Sequence, residues 1–373
     1  MAGVYIHVPF CLQKCDYCDF LSFESCDSME PYVNALLHEI QNAQITQPIS
    51  TIYIGGGTPT ALPSHLLCKI LDAVASVIAT APVIALAPVI AGLTRNPPTE
   101  ITVEANPGTL SREYLHALKS HGVNRLSMGL QTTHPHLLRA INRIHTMEDF
   151  LENYHTARQL GFDNINVDLM FALPGQTLAC WRDTLQEIIA LSPQHISAYS
   201  LTPAENTPLW DALEAGKITL PSDTTDREMY HLAREMLTAA GYTHYELSNF
   251  AKPDFESRHN IDCWRRVPYM AFGLGAFSFD GKTRRRNPDN MHDYLNGRPP
   301  HVVEHLSEAD HLAETMILGL RLTKGVPEAD VPPIFAPQVA ELIKKDLLVQ
   351  RDGQVCLTTL GMDLANQVFE TFV

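Results

Sequence analysis

Short apolar runs alternate with longer amphipathic ones through the first two hundred residues, and this alternation limits the fold more than any other feature. Strand-length runs lie at 3–8, 51–54, 100–105, 124–128, 164–170 and 195–201, with helical periodicity between them at 29–44, 64–80, 111–121, 146–160 and 181–190. A strand–helix repeat of this kind builds parallel βαβ units. Six consecutive units with right-handed crossovers curl into a full or partial barrel. After residue 201 the pattern changes to a long helix at 223–240 and a short strand at 242–247. A Gly/Arg/Asn/Pro-rich stretch at 281–300 reads as a boundary, and the chain beyond Ser307 is mostly helical, with a Thr N-cap before its last helix. The expected division is a barrel at 1–235, a bridge at 236–300 and a small helical or winged-helix-like domain at 301–373.

The 373 residues suffice for two or three domains, or for one large barrel with an appendage. A formal net charge of −15 excludes a broad non-specific nucleic-acid surface, which needs an excess of Lys and Arg. From Ala73 to Leu93 no residue is charged, a length that reaches across a bilayer. Pro82 and Pro88, and an Ala-Pro-Val-Ile unit at 81–84 and again at 87–90, argue instead for the end of a helix followed by a loop insertion at 81–98. No stable membrane span is expected. A strand begins at Gly3 with no targeting segment before it, so the expected compartment is the cytoplasm. Eight cysteines in such a compartment are not a disulfide framework.

Their spacing is therefore read as metal chemistry. Cys11, Cys15 and Cys18 form a C-x3-C-x2-C run in the loop after the first strand. Iron–sulfur clusters are normally held by four thiolates, so three leave one iron open to a non-protein ligand. The same triplet suits a zinc site completed by His7 or Cys26, and taken alone it does not separate the two. Other strand ends carry Gly55-Gly56-Gly57-Thr58-Pro59, Glu104 with Asn106-Pro107-Gly108, Gly129 and Gln131 followed by Arg143, and Asp168 followed by Leu173-Pro174-Gly175-Gln176-Thr177. Barrels place their chemistry at such strand ends.

Together these motifs resemble the radical S-adenosylmethionine superfamily. The run Tyr5 to Cys11 and Gly55–Pro59 narrow the likeness to the oxygen-independent coproporphyrinogen III oxidase group, over nearly the whole chain. The resemblance implies a partial (β/α)6 radical-SAM-type barrel with extra β/α elements and a small mainly helical C-terminal domain. It implies a [4Fe–4S] cluster on Cys11, Cys15 and Cys18, with S-adenosylmethionine on the fourth iron. Tyr5, Tyr17, Gly56 and Glu104 would flank that molecule. Gly57, Thr58, Gln131, Arg143, Asp168 and Thr202 match a second S-adenosylmethionine site of the family.

Two features separate this chain from the oxidase, which typically has a fourth cysteine and an N-terminal extension. Phe20 stands in the fourth place, and the first strand starts at residue 3. Both resemble the HemW-type haem chaperones, which bind haem and pass it to acceptor proteins. That branch carries a His-Asn-x-x-Tyr-Trp motif; here His259-Asn260 and Trp264 remain, and Cys263 replaces the tyrosine. His259 and Cys263 are the candidate haem ligands. The implied partners are haem, haem acceptors and an electron donor to a cluster that is reduced. The alternative is an enzyme, a coproporphyrinogen III dehydrogenase that decarboxylates two propionates. Arg284-Arg285-Arg286 offers cations for propionates, but reads more simply as a solvated loop. Cys26, Cys68, Cys180 and Cys356 read as ordinary thiols.

Overall fold

In the computed structural model, residues 1–24, 27–79 and 99–373 are described. The 81–98 insertion, Thr80 and Cys26 lie outside them, as does most of the uncharged stretch at 73–93. Among the described residues, no helix is long and apolar enough to cross a membrane.

The first two hundred residues run β1 (Ala2–Val8), α1 (Met29–Gln41), β2 (Ile49–Gly56), α2 (Ser64–Ile78), β3 (Glu100–Ala105), α3 (Arg112–Ser120), β4 (Arg125–Gln131), α4 (Pro135–Ala140), α5 (Met147–Gln159), β5 (Ile165–Phe171), α6 (Leu178–Leu191) and β6 (His195–Ser200). Strands β1 to β6 pair in parallel and in chain order, a partial barrel of α/β class. One face of each strand is apolar: Val4, Ile6, Ile52, Ile54, Val103, Leu126, Met128, Val167, Leu169 and Ile196 are buried in the core cluster with Leu36 of α1, Ile70 of α2, Leu118 of α3, Phe150 of α5 and Trp181 of α6. Helix starts follow the chemistry of their first residues. Ser111 and Thr177 accept from Tyr114 and Cys180 N–H groups, and Thr146 with Asp149 forms a capping box.

The remaining chain extends this sheet at both edges. After α7 (Pro208–Glu214) and α8 (Asp223–Ala239), β7 (Thr243–Glu246) and β8 (Asn249–Ala251) add antiparallel beyond β6. Helix α9 (Arg258–Trp264) then leads to β9 (Tyr269–Phe272), which pairs parallel with β1 at the opposite edge. Outside it lie β10 (Phe277–Phe279), β11 (Thr283–Arg286) and, past α10 (Met291–Leu295), β12 (His301–His305). The arginine triplet read as a loop is therefore β11. Each guanidinium has an acidic partner: Arg284 pairs with Glu304 and Glu314, Arg285 with Asp280 and Arg286 with Asp289.

The C-terminal part has its own core, with Met316, Leu342, Leu348, Val355 and Val368 at its centre. Helices α11 (Glu308–Gly319), α12 (Ala336–Lys344), α13 (Thr359–Asp363) and α14 (Ala365–Glu370) pack with a small antiparallel sheet of β13 (Val326–Pro327), β14 (Leu348–Arg351) and β15 (Gln354–Leu357). Thr358 caps α13 rather than the last helix.

Candidate functional site

The site follows from the second face of the barrel strands. Parallel strands buried on both sides usually read as continuous apolar runs. Here alternate positions are polar: Thr51 and Tyr53; Glu100, Thr102 and Glu104; Arg125 and Ser127; Asn166 and Asp168; His195, Ser197 and Tyr199. These side chains bond to one another along and between neighbouring strands. Tyr53 Oη donates to Glu104 Oε1 at 2.6 Å, Ser127 Oγ to Asp168 Oδ2 at 3.1 Å, and Asn166 Nδ2 to Asp168 Oδ1 at 2.9 Å.

At the carboxyl ends of the strands the lumen opens into a cavity of about 560 Å³. Cys11, Cys15, Cys18, Tyr17, Gly56, Gly57, Thr58, Glu104, Gln131, Arg143, Asp168 and Thr202 all line it. The cysteine loop is pinned at both ends of its course. Cys11 N–H donates to Phe23 O, Phe23 N–H to Pro9 O, Asp16 N–H to Ile141 O, and Leu209 N–H to Asp16 O. The glycine run holds the loop from below, through Gly57 N–H to Val8 O at 2.9 Å and Thr58 N–H to Phe10 O at 2.7 Å. Gly56 has a φ of +117°, which side chains rarely adopt. A Cβ at Gly57 would lie 2.7 Å from Phe10 O and 3.0 Å from Cys11 Sγ, so these positions must be bare for the loop to approach.

Burial raises the Cys15 and Cys18 thiols, and the other cysteines of the loop raise Cys18 further. A bound cation reverses that preference and draws off the proton. Among the described residues, no three His, Cys, Asp or Glu side chains close on a point that one metal ion would occupy. A zinc ion needs all its thiolates about 2.3 Å from one centre. A four-iron cluster takes each thiolate on a different iron, and all three cysteines of the loop line the cavity. His7 is committed elsewhere: its Nδ1 lies 3.1 Å from Tyr5 Oη and its Nε2 2.8 Å from Leu21 O, with burial lowering its pKa. A zinc site completed by Cys26 lies outside the described residues.

The remaining groups suit an amino acid and a nucleoside. Desolvation pushes the carboxyl of the half-buried Glu104 up to about 7, and Gly56 N–H donates to its Oε2 at 3.3 Å. Arg143 reaches Asn106 Oδ1 at 2.6 Å and Tyr17 Oη at 2.9 Å, and its Nε has no protein acceptor. A guanidinium so placed can take a carboxylate. Gln131 sits at a register shift of β4 with a φ of 71° and accepts from Tyr199 Oη at 3.1 Å. Phe20 stands at the cavity rim, 63% exposed.

Three of the expected residues lie elsewhere. Tyr5 is on β1, outside the cavity lining, bonded to His7. His259 and Cys263 are on α9, at the opposite end of the barrel. His259 is 6% exposed, its Nδ1 lies 2.9 Å from Thr51 Oγ1, and burial lowers its pKa to about 4. Burial pushes the Cys263 thiol up to about 11. Neither is presented to the cavity. Sequence reasoning passed over Tyr53, Ser127, Asn166 and Tyr199; the polar alternation along each strand was the signal that marks them.

Residues 5–188 match the radical SAM superfamily, and residues 306–364 the HemN C-terminal domain. The heme chaperone HemW of Bacillus subtilis is 36% identical, covering all of this chain and 99% of that protein. The heme chaperone HemW of Escherichia coli is 32% identical, covering 100% and 98%. Coproporphyrinogen III oxidase (HemN) from Escherichia coli, described as a radical SAM enzyme, superposes with a TM-score of 0.81 over the whole chain and 89% of its own. At 22% identity that is a likeness of fold.

Proposed function

The chain belongs to the HemW family of the radical SAM superfamily, and from that premise we propose that it is a haem chaperone, which binds haem and passes it to acceptor proteins. It carries a [4Fe–4S] cluster on Cys11, Cys15 and Cys18 and S-adenosylmethionine beside it. The observation that supports the cofactor half is the convergence of three thiols, Glu104, Arg143 and Asp168 on one cavity. Glu104 would accept from the ammonium of the S-adenosylmethionine on the cluster, while Arg143 and Asp168, which match the second molecule, would pair a carboxylate and accept from ribose hydroxyls. Tyr17 would stack on adenine, and the backbone of Gly56 and Gly57 would close the floor of the site. When bound and reduced, the cluster supplies one electron to the sulfonium; the protein binds, orients and shields. An electron donor is then a partner, and we place the protein in the cytoplasm, where its thiols stay reduced.

The carrier half rests on Phe20 in place of a fourth cysteine and on the relatives. The intact S-adenosylmethionine set favours the second reading, coproporphyrinogen III dehydrogenase. Anaerobic turnover separates them. Protein with a spectroscopically verified cluster, given S-adenosylmethionine, a reductant and coproporphyrinogen III beside an active oxidase control, is expected to form no protoporphyrinogen IX. The same protein is expected to show a Soret band with haem and to yield it to an apo-haem protein. Appearance of protoporphyrinogen IX would overturn the carrier reading.

A further inference from the structure

The motif His259-Asn260 lies outside the lining of the cofactor cavity, yet its histidine is wired toward that cavity. Helix α9 is anchored under the barrel by the first residue of β3: Glu100 accepts from Arg258 N–H at 3.0 Å and from His259 N–H at 3.1 Å. Those N–H groups have no partner within the helix. Ser257 caps it by accepting from Asn260 N–H. The His259 ring enters a slot left open by Gly3, where a Cβ would lie 3.2 Å from the imidazole, and Thr51 holds its Nδ1. Its face stacks on Tyr53, with centroids 5.2 Å apart and planes 28° apart. Tyr53 also stacks on Tyr5, at 6.3 Å and 27°. At its far end Tyr53 donates to Glu104 Oε1. Helix α9 is fixed at its other end too: the Arg321 guanidinium lies 4.3 Å over the Trp264 ring, and Arg266 Nε donates to Glu314 Oε2 at 3.1 Å.

We propose that His259 is a positioning residue for the S-adenosylmethionine site: its stack on Tyr53 fixes the phenol that orients Glu104. The inference rests on the cofactor reading above, in which Glu104 receives the ammonium. A planar ring in this slot keeps the tyrosine from tipping toward the barrel floor, because packed interiors leave it no other space. Without that ring the phenol loses its aim, and a half-buried carboxylate loses its strongest fixed donor. Imidazole and phenol thus act in series, and the haem-carrying step does not need His259 as a ligand.

The test is the dissociation constant of S-adenosylmethionine, measured by anaerobic calorimetry on cluster-loaded full-length protein, with the haem Soret band recorded for each variant. His259→Ala and Tyr53→Phe are each expected to weaken binding by on the order of fivefold to twentyfold, the scale of one hydrogen bond. Because they act in series, the double variant should bind no more than about twofold worse than the weaker single one. His259→Phe, which keeps a ring in the slot, should recover most of the affinity and keep the Soret band. Unchanged affinity in Tyr53→Phe, which removes only a hydroxyl and decides the matter even where His259→Ala does not fold, would overturn the proposal. So would fully additive effects, or a His259→Phe variant that loses the Soret band. Wild-type protein that binds no S-adenosylmethionine would instead overturn the cofactor reading on which the inference stands.

Discussion

The two ends of the barrel lumen are made from the same strands, yet they treat polar side chains in opposite ways. At the carboxyl end, Glu104, Asp168 and Arg143 face a cavity and keep capacity for a ligand. Four residues earlier along the strands, Thr51, Glu100 and His195 are spent on other side chains and on the elements that close the floor. His195 shows this fully: Nδ1 lies 2.6 Å from Asn166 Oδ1 and Nε2 2.8 Å from Tyr245 Oη, and burial lowers its pKa well below the ordinary range. Position along a strand, rather than residue type, separates a site from a scaffold here. A histidine at the floor is therefore a piece of structure until a ligand is shown to reach it.

The comparison breaks most sharply at the cysteine loop. Cys15→Ser is expected to remove the cluster outright, from about four irons per chain to essentially none, while the thermal melt of the apo-protein hardly moves. Iron analysis and the near-ultraviolet and visible spectrum check it. Glu100→Ala should do the converse. It strands two N–H groups of α9, one buried and one half-buried, costing about 2–4 kcal/mol of stability in denaturant titration, and leaves iron content intact. A cluster lost along with Glu100, in protein still folded, would show that the two ends are not separable.

The sequence revealed the two features that depend on local pattern. Six strands stand out because apolar runs are flanked by amphipathic helices, and the cysteine spacing survives any fold. What stayed hidden depends on long-range pairing. Strand β9 joins β1 across more than 260 residues of chain, with Tyr5 opposite Ala271, and nothing near either segment announces the partner. Thr283 to Arg286 looks like a charged loop because an antiparallel outer strand needs no apolar run; its pairing with Phe277 to Phe279 and with β12 makes it a strand. Motif spacing around His259 carries no information on depth. The alternation Thr51-Ile52-Tyr53-Ile54-Gly55 did carry it, since a polar residue at every second place of a parallel strand implies a polar lumen.

A subtler contrast lies in pH. Desolvation holds the Glu104 carboxyl up at about 7, whereas an ammonium ligand requires it ionised. From about pH 5 to pH 7, while an α-amino group stays protonated, S-adenosylmethionine affinity should rise by up to about tenfold per pH unit, or about 1.4 kcal/mol, and then level off. Stability of the ligand-free protein runs the other way. A native pKa raised above the unfolded value contributes stability that is fully present below about 4.5 and lost as pH climbs through about 7. Glu104→Gln should flatten the affinity profile. A wild-type profile already flat over that range would mean that Glu104 does not receive the ammonium.

The smallest effect expected is at a surface belonging to neither end. Arg285 pairs with Asp280 at 2.7 Å, and the two side chains are 45% and 48% exposed, so water and salt screen most of their attraction. Arg285→Ala is expected to change stability by less than about 1 kcal/mol, and to leave both the Soret titration and S-adenosylmethionine binding unaltered. Arg284 differs because it bridges Glu304 on β12 and Glu314 on α11, tying the outer sheet to the C-terminal part, and its loss should cost more than that of Arg285. Loss of haem uptake in Arg285→Ala, with stability unchanged, would place the porphyrin propionates on the outer sheet and make the exposed face of β11, not either end of the lumen, the haem surface.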